Sequence, residues 1–163
     1  MPYPGAKMQS WCEPRIISGM TEDFAPLTGR CMCGAVEVST NAPFLGALWC
    51  HCKRCQRRSG TTRSVTGLCP VGAFSVTRGA DKVRVWDPGD GWRKAFCVDC
   101  GSHTHTINPD DPSVVAMRLG CLDQDPGIRP QVHQFVSYAS PLEPIPEDGL
   151  PRFPERLGAT EPL

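Results

Sequence analysis

Three short clusters hold seven of the ten cysteines in this 163-residue chain, and cysteine thiolates are common zinc ligands. Four thiolates complete a tetrahedral structural site, whereas three leave one coordination position open, as in a catalytic zinc site. The spacing therefore predicts one closed and one open zinc site. The clusters are Cys31-Met32-Cys33-Gly34, Cys50-His51-Cys52-Lys53-Arg54-Cys55 and Cys97-Val98-Asp99-Cys100-Gly101.

The predicted closed site, here called the four-cysteine cluster, consists of Cys31, Cys33, Cys97 and Cys100. Each pair ends in a glycine, Gly34 or Gly101, which adopts a left-handed turn without a steric penalty. A zinc ion here would join an early strand to the middle of the chain. The alternative is two unrelated redox motifs, but no βαβ pattern surrounds the second pair.

The predicted open site, here called the three-cysteine cluster, consists of Cys50, Cys52 and Cys55. An extended strand would place the first two thiols on one face and His51 on the other. The alternative is a second structural site that a histidine completes. The candidates for that fourth ligand are His103, His105 and His133.

A dense group of basic residues overlaps the three-cysteine cluster. Zinc with three thiolates is net anionic, and a fourth thiolate from a ligand adds charge, so nearby cations favour such a site. Arginine also suits bidentate contact with carboxylates. The alternative is a solvated charged turn. The basic residues are Lys53, Arg54, Arg57, Arg58 and Arg63.

The hydrophobic pattern predicts a mainly β fold. Short alternating or β-rich runs, separated by Gly, Pro and Asp, favour antiparallel strands, and one or two helical turns should follow Cys52 and continue through Arg58. The expected strands are 35–39, 45–49, 63–68, 74–77, 83–86, 114–119 and 132–138. The expected divisions are an arm (1–26), a zinc-binding domain (27–140) and a proline-rich tail (141–163) packed on the domain through Leu150 and Phe153.

The bulk composition limits the partners. A formal net charge of zero argues against nucleic acid as a general partner. No apolar run has the length of a membrane span or a signal peptide, so a cytoplasmic protein is expected. A homo-oligomer is compatible with the sequence. Cys69 and Cys121 are expected to be core residues, and Cys12 a free thiol.

The three cysteine motifs, in this order, resemble the glutathione-dependent formaldehyde-activating enzyme family, which also includes centromere protein V. The resemblance covers about residues 28–154. The matching segments are Gly29-Arg30-Cys31-Met32-Cys33-Gly34, Cys50-His51-Cys52-Lys53-Arg54-Cys55-Gln56-Arg57-Arg58-Ser59-Gly60, Trp92-Arg93-Lys94-Ala95-Phe96-Cys97-Val98-Asp99-Cys100-Gly101, Leu119-Gly120-Cys121-Leu122-Asp123, His133 and Gly149-Leu150-Pro151-Arg152-Phe153.

The resemblance implies a small antiparallel zinc-binding fold of the β-tent type. It implies a structural zinc at the four-cysteine cluster and an active-site zinc, where glutathione binds, at the three-cysteine cluster. The implied activity is that of a carbon–sulfur lyase acting on a glutathione adduct such as S-(hydroxymethyl)glutathione.

We expect the three-cysteine cluster and an acid/base residue to be catalytic, and basic residues to hold the carboxylates of glutathione. The acid/base candidate is His133, with His103 and His105 as further candidates, and the carboxylate-binding residues are Arg54, Arg57 and Arg63.

The chain departs from the family pattern at three segments. Where the family commonly has a threonine and then apolar residues, this chain has Ser102-His103-Thr104-His105-Thr106. After Gly60 it has Thr61-Thr62-Arg63 in place of the usual apolar segment, and where many members carry a tryptophan it has Ser140-Pro141-Leu142. The two histidines are interpreted either as an exposed strand face or as an added acid/base pair. Two alternatives therefore remain, namely a lyase for a different thiol adduct in a biosynthetic or detoxification pathway, and a non-catalytic zinc module.

Overall fold

The structure is a computed structural model that describes residues 24–89, 92–108 and 110–158. Within these ranges the chain is mainly β, with eleven strands and one helix. The mainly β prediction is therefore confirmed. Most of the predicted arm and the end of the predicted tail lie outside the described residues, as does Cys12.

Two sheets make up the fold. The smaller sheet has the order β1-β2-β5 and is antiparallel, with strands β1 (Leu27–Arg30), β2 (Glu37–Thr40) and β5 (Phe74–Arg78). The larger sheet has the order β11-β10-β3-β4-β9-β8-β7-β6. Its strands are β3 (Gly46–Cys50), β4 (Ser64–Pro70), β6 (Val83–Trp86), β7 (Arg93–Cys97), β8 (His103–Ile107), β9 (Val114–Arg118), β10 (His133–Gln134) and β11 (Arg152–Phe153).

The larger sheet is antiparallel except at one edge, where β10 pairs in parallel with both β3 and β11. This edge is where the proline-rich segment meets the sheet. Phe153 in β11 is buried and Leu150 is half-buried. The division of the chain into three parts stays a prediction.

Helix α1 (Lys53–Ser59) begins directly after the second thiol of the three-cysteine cluster. Its N-cap is Cys52, whose sulfur accepts a hydrogen bond of 3.3 Å from the backbone N–H of Cys55. Gly60 ends the helix in the left-handed conformation. Single 3-10 turns lie at Val71–Ala73, Ala80–Lys82, Leu119–Cys121 and Val136–Tyr138. In the described part of the chain, no helix has the length and apolar character needed to cross a bilayer.

Side-chain alternation gives the larger sheet two different faces. One face packs with the smaller sheet around the main core, to which Val38, Ala47 and Met117 contribute. The opposite face carries a smaller cluster that includes Leu48, the cysteines of the open site, and Phe153. Cys69 is fully buried in the main core and Cys121 packs against it, as the sequence predicts.

Several strand predictions were incomplete. The run 132–138 forms a strand only at His133–Gln134, because Phe135 adopts a positive φ of 61° and a 3-10 turn follows. The predictions omitted β1, β7 and β11. Arg93-Lys94-Ala95-Phe96-Cys97 of β7 carries polar residues on both faces, and the other two strands are too short to show a clear alternation.

Gly79 is the backbone position that most limits substitution near the four-cysteine cluster. Its φ is +68°, and an added Cβ would overlap the carbonyl oxygen of Ala35. We expect Gly79→Ala to lower the free energy of unfolding by about 2–4 kcal/mol in denaturant titration. The matched control is Gly72→Ala, where the added Cβ meets open space, with an expected change within about 0.5 kcal/mol. Equal effects at both positions would contradict this steric account.

Candidate active site and metal centres

The four-cysteine cluster assembles as the sequence predicts. The sulfur atoms of Cys31, Cys33, Cys97 and Cys100 all lie within 4.8 Å of one another. Cys33 lies 3.5 Å from Cys31 and 3.9 Å from Cys97, sulfur to sulfur. A tetrahedral zinc with bonds of about 2.3 Å separates its sulfurs by about 3.8 Å. This group could therefore hold a zinc ion.

The two halves of the four-cysteine cluster share one kind of turn and one bridging side chain. Gly34 and Gly101 have φ values of 75° and 74°, and the backbone N–H of each donates to the carbonyl of the first cysteine of its pair. Ser102 Oγ accepts from the backbone N–H of Met32 at 2.9 Å and contacts Cys100 Sγ at 3.3 Å. The serine thus links the two turns directly.

The three-cysteine cluster forms where β3 passes into α1. Cys50 ends the strand, Cys52 caps the helix and Cys55 lies in its first turn, and their sulfur atoms lie within 4.8 Å of one another. Among the described residues, no histidine, cysteine or carboxylate side chain joins this group as a fourth ligand. The arrangement leaves room for an external ligand on a bound metal.

Crowding of the thiols in the three-cysteine cluster makes it unfavourable for all three to be thiolates unless a cation is bound. The pKa of Cys50 is raised, chiefly by its interaction with Cys52 and then by that with Cys55. Adjacent thiolates repel one another, and burial removes the water that would screen them. A metal cation relieves both effects, so this donor set fits zinc.

One face of the larger sheet supports the three-cysteine cluster. Cys50 of β3 pairs with Ser64 of β4. Two residues further along β4, Thr66 pairs with Arg118 of β9. Arg118 donates to Ser64 at 3.0 Å, to Thr66 at 2.7 Å and to Thr106 at 3.4 Å. A guanidinium group is therefore fixed on the face that carries the thiols.

A cavity of about 480 Å³ lies between the two cysteine clusters. Cys55 lines it on one side, and Cys100 with Gly101 and Ser102 lines it on the other. The positively charged or ionisable nitrogen side chains in its wall are Arg30, Arg58, Arg63, Arg118 and His103. The cavity thus presents one thiol of the open cluster to a strongly basic surface.

The structure separates the three arginines that the sequence assigned to carboxylate binding. Arg63 lines the cavity, but it pairs with Glu143 at 2.7 Å and its guanidinium lies 4.3 Å from the ring centroid of Trp49. The guanidinium carbon of Arg54 lies 6.0 Å from the ring centroid of Trp86, and Arg57 is exposed. Neither of those two lines the cavity, and their assignment stays a prediction.

Sequence reasoning missed Arg118 as a site residue. It ends the apolar run Val114-Val115-Ala116-Met117 of β9, and its charge reaches the site only through pairing across the sheet. The signal that could have found it is a single arginine at the end of an otherwise buried strand.

His133 lies in a buried chain of polar side chains. Its Nδ1 is 2.9 Å from His51 Nε2, and its Nε2 is 3.0 Å from Asp148 Oδ2. Both histidines are almost completely buried, and burial, with a smaller effect from His133, lowers the pKa of His51 to about 4. His133 does not line the cavity, and its assignment as an acid/base stays a prediction.

The two histidines of β8 have different surroundings and do not form a pair. His103 lines the cavity, and its pKa is lowered to about 4 by burial and then by Arg58 and Arg118. His105 is buried against Phe74, with ring centroids 4.6 Å apart. His103 therefore replaces His133 as the histidine nearest to the cavity, whereas His105 belongs to the core.

His105 should make folding stability depend on pH. Its pKa is lowered to about 4, chiefly by burial, from 6.5. Between these pH values the unfolded chain binds a proton that the folded chain excludes, so stability falls as the pH falls below 6.5.

The free energy of unfolding of the wild-type protein should fall when the pH falls from about 7.5 to about 5.5. We expect this fall to be about 1 kcal/mol smaller in His105→Gln. Denaturant titrations of both proteins at each pH, at constant zinc, measure the difference. Parallel pH dependences would contradict a neutral buried His105.

The described strands and cysteine groups define a small, mainly β, cysteine-rich protein whose two cysteine groups could each hold a metal ion. Residues 26–138 match the family described as "Glutathione-dependent formaldehyde-activating enzyme". This match covers more than half of the chain, and the chain belongs to that family.

Relatives from two fungi agree with this assignment, and both carry the name "Putative glutathione-dependent formaldehyde-activating enzyme". The Penicillium rubens protein is 32% identical over 132 residues, which are 76% of this chain and 69% of the relative. The Phaeosphaeria nodorum protein is 32% identical over 95 residues, which are 55% of this chain and only 50% of the relative. A crystal structure of a Rhodobacter sphaeroides protein is also similar, with a TM-score of 0.51 and 27% identity, covering 63% of this chain and 91% of that one.

Proposed function

We propose that this protein is a zinc-dependent carbon–sulfur lyase acting on a glutathione adduct such as S-(hydroxymethyl)glutathione. The observation that carries the proposal is the position of Cys55, which belongs to an incomplete ligand set and also lines the basic cavity. A ligand thiol in this cavity has access to the open side of the three-cysteine cluster. Membership of the family supports the same substrate class.

Two zinc ions are proposed, one in each cysteine cluster. Cys31, Cys33, Cys97 and Cys100 would hold a structural ion, and Cys50, Cys52 and Cys55 would hold the ion of the active site. When bound there, zinc supplies affinity for sulfur and stabilises it as a thiolate.

The cavity is suited to a small anionic thiol. Its volume of about 480 Å³ lies within the usual range for small-molecule sites, about 300–1,000 Å³. Its arginines provide partners for carboxylates, and glutathione carries two of these.

Proton transfer is assigned to a histidine. In the direction that releases formaldehyde, a base takes the hydroxyl proton of the adduct, the carbon–oxygen double bond forms, and the carbon–sulfur bond breaks with its electrons on sulfur. His103 is neutral near pH 7, because its pKa is about 4, and it lines the cavity. His133 would instead exchange protons through His51, to which it is hydrogen-bonded.

A second candidate function is a lyase for a different thiol adduct. Four cavity residues lie in two of the three segments where this chain departs from the family pattern, namely Thr61, Arg63, Ser102 and His103. Changes in the wall of the cavity alter the substrate without altering the ligand set. A panel of glutathione adducts of different aldehydes would separate the candidates, since the true substrate should have the highest kcat/KM. A cytoplasmic location remains a prediction.

We expect purified protein to contain two zinc ions per chain, or one that rises to two when glutathione is added, by elemental analysis. Cys97→Ser should lose the structural ion and lower the free energy of unfolding by more than about 3 kcal/mol. A single ion under both conditions, with Cys50, Cys52 and Cys55 unprotected from alkylation, would contradict an active-site metal.

We expect Cys52→Ser to abolish turnover while leaving the fold intact. Serine retains an N-cap oxygen for α1, and the four-cysteine cluster is untouched. Exchange NMR of labelled formaldehyde with glutathione measures the rate above the spontaneous reaction, and circular dichroism monitors the fold. Unfolding of Cys52→Ser would indicate a structural role for the three-cysteine cluster, and retained turnover would exclude it from catalysis.

A further inference from the structure

Two of the cavity arginines lack the acidic partners that the other two have. Arg30 pairs with Asp123 at 3.0 Å, and Arg63 pairs with Glu143 at 2.7 Å. Among the described residues, no carboxylate lies within 4.0 Å of the guanidinium group of Arg58 or Arg118. Both of these arginines line the same cavity as Cys55.

Neutral groups of the protein hold these two arginines in place. Arg58 Nη2 donates to the carbonyl of Ala95 at 2.6 Å, while Arg118 is held by three hydroxyls of two strands, β4 and β8. Arg58 Nη1 and Arg118 Nε are buried and have no hydrogen-bond partner. A buried donor without an acceptor costs about 1–3 kcal/mol, so both guanidinium groups are only partly satisfied within the folded chain.

Positive charges accumulate around this pair. Burial and, to a smaller extent, the charge of Arg118 lower the pKa of Arg58 to about 10, against an opposite effect of Cys55. Lys94, which is buried on β7, has its pKa lowered to about 8, chiefly by burial, while Cys55 raises it and Arg118 lowers it. Like charges at partly buried positions repel one another, and a bound anion would relieve that repulsion.

We propose that Arg58 and Arg118 form a binding subsite for a carboxylate of the thiol substrate, and that the protein thereby selects thiols carrying an acidic group near the sulfur. This inference rests on the proposed function, because a thiol ligand placed at Cys55 brings its carboxylate next to this pair. A guanidinium group matches the geometry of a carboxylate, and both of these arginines line the same cavity. The subsite differs from the earlier assignment of Arg54, Arg57 and Arg63.

Calorimetric titration of the zinc-loaded protein tests the subsite with three probes: glutathione, its diethyl ester and S-methylglutathione. The diester lacks the carboxylate charges, and S-methylglutathione keeps them but cannot supply a thiolate. We expect Arg58→Gln and Arg118→Gln each to weaken glutathione and S-methylglutathione about tenfold, as is typical of a lost charged contact, and to leave diester binding unchanged. The matched control is Arg84→Gln, an exposed arginine of β6 that does not line the cavity.

The outcomes separate this subsite from the lyase activity. Carboxylate-dependent binding that either variant removes supports the subsite even if no adduct is turned over, in which case the proposed function alone fails. Absence of S-methylglutathione binding by the wild-type protein would overturn the subsite, as would equal losses for glutathione and its diester. Loss of zinc from both variants would assign the arginines to the metal cluster instead. Circular dichroism checks folding, and Arg118→Lys, expected to restore part of the affinity, replaces Arg118→Gln if that variant unfolds.

Discussion

The convergence of four sulfur atoms is the interaction on which the arrangement of this protein depends. Cys31 follows β1 of the smaller sheet, whereas Cys97 ends β7 near the far edge of the larger sheet. Their cluster therefore adds a cross-link between the two sheets to the short connections that join β2 to β3, β4 to β5 and β5 to β6. Ser102 reinforces this connection by contacting both turns. The cavity lies beside the junction, so its shape depends on the cluster being closed.

Alternation along the strands then separates packing from chemistry. Ala47 faces the main core, while its neighbour Leu48 packs with the open cysteine cluster. The same rule places the arginine of β9 beside the thiols and Met117 in the core. One sheet can therefore tolerate a concentration of cations on one face because the apolar contacts that stabilise it lie on the other.

Local patterns predicted the features whose signals are local. Cysteine spacing identified both clusters, and the residues after Cys52 indicated the short helix. Contacts between residues of neighbouring strands were not predictable in the same way, because they depend on strand order and register, which the sequence alone does not specify. Arg118 and the burial of His133 are of this kind, as is the two-residue strand β11, which is too short to show any period.

The parallel pairing of β10 with β3 and β11 has a consequence for biosynthesis. The four-cysteine cluster is complete once Cys100 has been made, but Phe153, which packs against the three-cysteine cluster, is synthesised much later. Chains emerge from the ribosome in sequence order, and contacts between distant segments form last. A nascent chain would thus hold its structural metal while Cys50, Cys52 and Cys55 still lack their apolar cover, so the order of synthesis itself would separate the two metal-loading events.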